Sequence, residues 1–181
     1  MIRPLHRSRT LPLWAALLLA AVQTARAAPG DELPQPRARL VDASLQAPQL
    51  ERMTLAARRY YAFWNTGDPA LARAALAPDF IDRTLPAGRP QGLEGALFAS
   101  RQIRAAVPDL RAEVEEMLVV GDRVIARLRF SGHFTGVFGD GPQAGRGRGE
   151  AIDFIATDIY RISEDRIAEN WHLEDRLTLL Q

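Results

Sequence analysis

The chain is expected to fold as an α+β domain, on three observations. Its first half holds three segments with helical periodicity. Its second half holds four longer segments in which apolar and polar residues alternate. No segment repeats another. Helices followed by a run of antiparallel strands is the α+β arrangement, and a curved sheet folded around helices leaves a cone-shaped cavity. The 181 residues, 47% apolar and 25% charged, suffice for one such domain with a sizeable core.

Residues 1–27 read as a secretory signal. Arg3, Arg7 and Arg9 form a basic start, Leu11–Val22 is a short apolar run, and Ala25-Arg26-Ala27 supplies small residues for cleavage before Ala28. The apolar run is short for a membrane span, so a retained anchor is the lesser alternative. The expected location is therefore the periplasm or the exterior, with no membrane attachment after signal removal. The leader carries four arginines and no acid, which leaves the remainder at a net charge of about −3 rather than +1. There is no lysine, and the arginines alternate with acids, so nucleic acid is not an expected partner. Without cysteine, disulfides, thiolate chemistry and cysteine-built zinc sites are excluded. With two histidines beyond the leader, a dedicated transition-metal site is not expected.

Residues 28–48 contain Pro29, Pro34, Pro36 and Pro48 and read as a flexible linker, with the domain proper at 49–181. The first helix is expected over Gln49–Asn65, where Leu50, Met53, Ala57, Tyr60, Tyr61 and Trp64 recur at helical spacing. Asn65-Thr66-Gly67-Asp68 stops it. Asp68 can cap a short second helix, Pro69–Leu76, with Pro69 at its first position. Asp79–Asp82 is extended, and Leu85–Gly92 is a loop. A third helix spans Gly92–Val107 and ends before Pro108. Strands are expected over Leu110–Val120, Arg123–Phe134, Ala151–Ile162 and Arg166–Leu173. The glycine-rich stretch Gly136–Gly149 lacks the strand–loop–helix setting and the Lys-Ser/Thr of a phosphate cradle, and reads as a lid or a plain hairpin loop.

The last two strands carry the candidate chemistry. Ile152, Phe154, Ala156, Asp158, Tyr160 and Ile162 share one face. A buried carboxylate there needs a partner or a raised pKa. A three-residue loop, Ser163-Glu164-Asp165, would set Ile162 opposite Arg166 and Asp158 opposite Asn170, making Asp158 and His172 diagonal neighbours about 7–8 Å apart. A two-residue turn would throw them to opposite faces.

Several short motifs resemble, in order, those of the SnoaL-like polyketide cyclase (ester cyclase) family. They are Asn65-Thr66-Gly67-Asp68, Ala77-Pro78-Asp79-Phe80, Pro108-Asp109-Leu110 and Gly121-Asp122-Arg123-Val124. Thr135-Gly136-Val137-Phe138-Gly139 follows, then Asp158-Ile159-Tyr160-Arg161 and Arg166-Ile167-Ala168-Glu169-Asn170-Trp171. The resemblance spans about Leu50–Gln181. It implies the cone of the nuclear transport factor two-like (cystatin-like) roll: an antiparallel sheet around about three helices, commonly dimeric, with no metal or organic cofactor. It also implies intramolecular aldol closure of a polyketide ester, driven by a carboxylate on the last strand and a histidine on the strand before. Aligned through Arg166-Ile167, the carboxylate position falls on His172 and the histidine position on Asp158, so the pair is swapped. Phe134 stands where the family often has a further histidine, and His133 lies one residue earlier.

The expected catalytic pair is thus His172 as base and acid, with Asp158 orienting it. Asn170, Trp171, Asp175, Tyr60 and Trp64 are candidate pocket residues, and the expected partners are a small apolar molecule and a second copy of the chain. Two functions fit: cofactor-free acid/base chemistry on a small carbonyl compound, or non-catalytic binding in the same pocket. A pure assembly module, the third possibility, requires a filled cone.

Overall fold

The computed structural model describes residues 33–138 and 145–175. The signal read at 1–27 lies outside these residues, as do 139–144 of the glycine-rich stretch. Helix α1 spans Ala47–Thr66 and buries Met53, Ala56, Ala57, Tyr60, Tyr61 and Phe63. It ends where Gly67 turns left-handed at φ 72° and its N–H donates to the Phe63 carbonyl at 2.7 Å. Helix α2, Pro69–Ala75, starts on Asp68, whose carboxylate accepts from the Ala70 N–H at 2.8 Å. Strand β2 follows directly, Leu76–Asp82, and then helix α3, Gly92–Ala106. Gln91 joins the last two. Its side-chain oxygen accepts from the N–H groups of Gly92 and Asp82, and its amide donates to the Asp82 carbonyl at 3.0 Å. The cap of α3 therefore also holds the end of β2 in place.

The remaining strands are β1 (Ala38–Val41), β3 (Arg111–Val120), β4 (Arg123–Phe134), β5 (Val137–Phe138), β6 (Gly145–Arg146), β7 (Glu150–Ser163) and β8 (Arg166–Glu174). Five of them, with β2, form one six-stranded sheet in the order β1-β3-β4-β7-β8-β2. Its inner face and the helices enclose a continuous core in which Tyr61, Phe63, Met117, Leu128, Tyr160 and Ile167 are sealed from solvent. The domain is α+β, as expected, but the sheet is mixed. The four central strands are antiparallel, whereas β1 runs parallel to β3 and β2 parallel to β8. Both edge strands come from the helical half of the chain and enter the sheet through crossovers.

Strand β1 also corrects the reading of 28–48 as a flexible linker. Ala38–Val41 pairs with Glu116–Val119, Leu33 is buried, and the Arg58 guanidinium donates to the carbonyls of Leu33 and Pro34. All four residues of β1 are exposed, so no alternation marks it. The glycine-rich stretch is likewise partly strand. β5 pairs with β6, and Gly136 lies against the end of α3, where its N–H donates to the Ala106 carbonyl at 2.9 Å.

The β7–β8 hairpin differs from expectation in both turn and register. The turn has two residues, Glu164 and Asp165, both with positive φ (48° and 64°), the geometry that follows strand twist. Ser163 pairs with Arg166 and Ile162 with Ile167, but Arg161 pairs with Glu169. Ala168 is the extra residue of a β-bulge. A two-residue turn alone would separate Asp158 from His172. The bulge reverses the alternation again and sets the two directly opposite each other.

Candidate functional site

The open end of the cone holds a cavity of about 490 Å³. Tyr60 and Trp64 of α1, Phe80 of β2, Phe98 and Ile103 of α3, and Phe130 and Phe154 of the sheet form its apolar wall. Phe130 and Phe154 stack at 5.2 Å between ring centroids. Ionisable and polar groups gather at one end: Asp82, Asp158, Asn170, His172 and Glu174, with Arg89 contributed by the loop before α3. A pocket with apolar walls and a few convergent polar groups is the usual form of a small-molecule site. It also contradicts the filled cone that a pure assembly module requires.

Asp158 projects from β7 into this polar end and is 6% exposed. Tyr160, two residues along the same face, donates its hydroxyl to Asp158 Oδ2 at 2.6 Å, and the Asn170 amide also hydrogen-bonds the carboxyl. Burial raises the carboxyl, and the hydrogen bonds and the His172 charge only partly oppose this. Asp158 titrates near about 6, from an ordinary 3.8.

His172 is held between two carboxylates. Its Nδ1 lies 2.7 Å from Glu174 Oε1, and its Nε2 lies 3.1 Å from both oxygens of Asp82. Each ring nitrogen faces an acceptor, so each must carry a proton, and the group is an imidazolium. Burial alone would lower its pKa. The hydrogen bonds and charges of Asp82 and Glu174 outweigh burial and lift it to about 10. Asp82, correspondingly, is held below the usual carboxylate range: burial raises it, and the His172 hydrogen bond and charge more than reverse that.

The expected pairing, with Asp158 orienting His172, is therefore corrected. His172 donates its hydrogen bonds to Asp82 and Glu174, and Asp158 accepts its own from Tyr160 and Asn170. The two interact through charge across the strand pair. Asn170, Tyr60 and Trp64 line the cavity. Trp171 and Asp175 do not. Trp171 alternates to the outer face of β8, where the Arg123 guanidinium sits 5.0 Å from its ring centroid. Asp175 is exposed beyond the strand end, and its N–H donates to the Ile155 carbonyl at 2.9 Å.

Asp82 and Glu174 are site residues that the sequence does not single out. Glu174 is within reach of sequence reasoning, being two residues past His172 on the same face. Asp82 is not, because only the parallel β2–β8 pairing brings it to His172. Among the described residues, no group of three or more His, Asp or Glu side chains is arranged to hold a metal ion.

The curved mixed sheet, the three helices and the cavity between them define a protein of the nuclear transport factor two-like fold. The sequence model of the SnoaL-like polyketide cyclase family matches residues 54–181, and the chain belongs to that family. A candidate polyketide cyclase from Bacillus cereus ATCC 10987 has a similar structure, with 43% identity and a TM-score of 0.74. The match covers 82% of this chain and 91% of that one. TsrD from Streptomyces laurentii is similar at 25% identity and a TM-score of 0.64, over 75% of this chain and 94% of that one. IdmH from Streptomyces antibioticus, a candidate polyketide cyclase, shares the fold at 24% identity and a TM-score of 0.60, over 70% and 94%. Comparison with curated proteins gives no match.

Proposed function

We propose that the domain is an acid/base enzyme acting on a small apolar carbonyl compound, with Asp158 as the group that takes and returns the proton. The observation that carries this reading is the Asp158 carboxyl, buried at the polar end of an apolar cavity and titrating near about 6. A base poised near the working pH is the effective one. In the reaction, the C–H bond next to a carbonyl breaks, its proton goes to Asp158 and its electron pair becomes an enolate. The enolate carbon then bonds to a second carbonyl carbon of the same molecule, and the resulting alkoxide takes the proton back from Asp158. With no second carbonyl, return of the proton to another carbon gives an isomerisation.

His172 is the fixed positive charge of the site. Both its N–H groups are engaged, so it favours anionic states through space rather than by exchanging a proton. This reverses the roles read from the sequence. Family membership and the likeness to the Bacillus cereus protein support cyclisation as the reaction class.

The test is turnover of a panel of linear dicarbonyl esters and cyclic ketones by wild type, Asp158→Asn and Trp171→Phe. Activity in wild type and Trp171→Phe, lost in Asp158→Asn, is the expected pattern, with kcat/KM rising through about pH 6. Full activity in Asp158→Asn overturns the assignment.

A second reading, non-catalytic carriage of a small apolar molecule, draws on the secretory sequence at 1–27 and the aromatic wall of the cavity. Protein that copurifies with such a molecule and turns over none of the panel selects it. In either case we propose export, and a homodimer formed through the outer face of the sheet, where Ile159 and Leu173 are exposed at 39% and 75%. Light scattering of the purified domain tests the dimer.

A further inference from the structure

We propose that Tyr160 is a positioning residue for Asp158: its hydroxyl occupies Oδ2, so that the proton exchanged with a molecule in the cavity is carried by Oδ1. The inference rests on the reading of Asp158 as the proton-transfer group.

The geometry is specific. Asp158 and Tyr160 are i and i+2 on the inner face of β7, and the phenol donates to Oδ2 at 2.6 Å in a region closed to solvent. The Tyr160 ring is held by α1. Tyr60 meets it edge-on at 5.9 Å and Tyr61 lies tilted at 6.0 Å, both between centroids. Across the sheet its neighbours are Val124 and Asn170. The ring is fully buried, so the hydroxyl has little freedom to leave the carboxylate.

The hydroxyl is also a permanent donor. Burial first, and the Asp158 charge second, hold the phenol well above its ordinary titration range, so it keeps its proton whenever Asp158 is ionised. Other groups act on Asp158 from each neighbouring element. β8 contributes His172, Glu174 and Asn170, and β4 contributes the uncharged Ala126 directly opposite. Tyr61, on α1, has a buried hydroxyl that interacts with Tyr160 and makes no hydrogen bond to the carboxylate. Of these, Tyr160 is the hydroxyl that meets the carboxylate.

The experiment compares Tyr160→Phe with Tyr61→Phe, since each deletes one buried hydroxyl and keeps the ring. The Asp158 carboxyl is titrated by carbon-13 NMR without substrate, and its resonance is assigned by its loss in Asp158→Asn. A hydrogen bond to a charged group that is lost only from the ionised form raises the midpoint by roughly one to two pH units. The expected result is a rise of that size in Tyr160→Phe and an unchanged midpoint near about 6 in Tyr61→Phe. An unchanged midpoint in folded Tyr160→Phe overturns the proposal, and so does an equal rise in Tyr61→Phe. The titration needs no turnover, so a catalytically silent Asp158 would sink the proposed function and leave this result readable. With a turned-over substrate, the acid limb of kcat/KM moves with the midpoint in Tyr160→Phe.

Discussion

Replacing Asp158 by Asn should stabilise the protein, and only above a defined pH. In the unfolded chain the carboxyl titrates near 3.8, and in the native cavity near about 6. The native state thus binds the proton more tightly, and ionisation costs it free energy. A gap of one pH unit between the two midpoints corresponds to about 1.4 kcal/mol, so the native state loses up to about 3 kcal/mol when Asp158 is fully ionised. The sign follows from the direction. Below about pH 4 the group is protonated in both states and nothing is lost. Between about pH 4 and 6 the unfolded state ionises first and native stability falls. Above about pH 6 the loss is complete and constant.

Asn has the same shape and can still accept from the Tyr160 hydroxyl, but carries no charge to desolvate. Urea denaturation of wild type and Asp158→Asn at about pH 4, 6 and 8 measures the difference. We expect near equality at about pH 4 and an advantage for the variant of up to about 3 kcal/mol at about pH 8. A gap that does not change with pH, or a variant less stable at the highest pH, would refute the reasoning. The charge would then be accommodated without cost, and Asp158 would titrate like an ordinary carboxyl.

His172→Gln leaves Asp82 and Glu174 without their cation and should cost about 3 kcal/mol at about pH 6. Because the folded histidine titrates near about 10 rather than 6.5, its contribution is complete below about pH 6.5 and lost as pH rises through about 10. Urea denaturation across that window should show the gap closing. A Cβ on Gly136 would sit 1.8 Å from the Ala105 carbonyl oxygen, so Gly136→Ala should destabilise by about 2 kcal/mol in the same assay. Trp64 walls the cavity and Trp171 does not, so titration with an apolar fluorescent dye should show weaker binding in Trp64→Ala and unchanged binding in Trp171→Phe.

What is legible in the sequence follows from which signals are local. Strand β4 is legible at Arg123–Phe134, its observed bounds, because Val124, Ala126, Leu128 and Phe130 alternate with arginines that face solvent. The helices are legible to within two residues at each end, since Asp68, Pro69 and Gly67 act on their own backbone. Strand β1 is hidden because an exposed edge strand has no buried face to betray it. The Asp82–His172 contact is hidden because it joins residues 90 apart in the chain through a parallel pairing. Asp158 itself stands out as the one carboxylate on an apolar strand face. Tyr160 is equally local, two residues along the same face, whereas the placing of His172 directly opposite Asp158 depends on a bulge that no turn motif announces.

That bulge explains why β8 looks wrong by its own pattern. Side-chain hydrophobicity would put Trp171 and Leu173 inside and His172 and Glu174 outside. The structure does the reverse: Leu173 is 75% exposed, while the His172 side chain is 8% exposed. Without Ala168 as an extra residue, the turn at Glu164-Asp165 would carry the apolar pair inward, and they would fill the cavity. The chain instead turns Asn170, His172 and Glu174 into the cone, beside a carboxyl whose ionisation is itself unfavourable to folding. Conflict between local pattern and global fold is expected where a site is built at the expense of stability. It is concentrated here at one strand and one inserted residue. The same insertion empties the pocket of Trp171 and Leu173 and supplies its polar end.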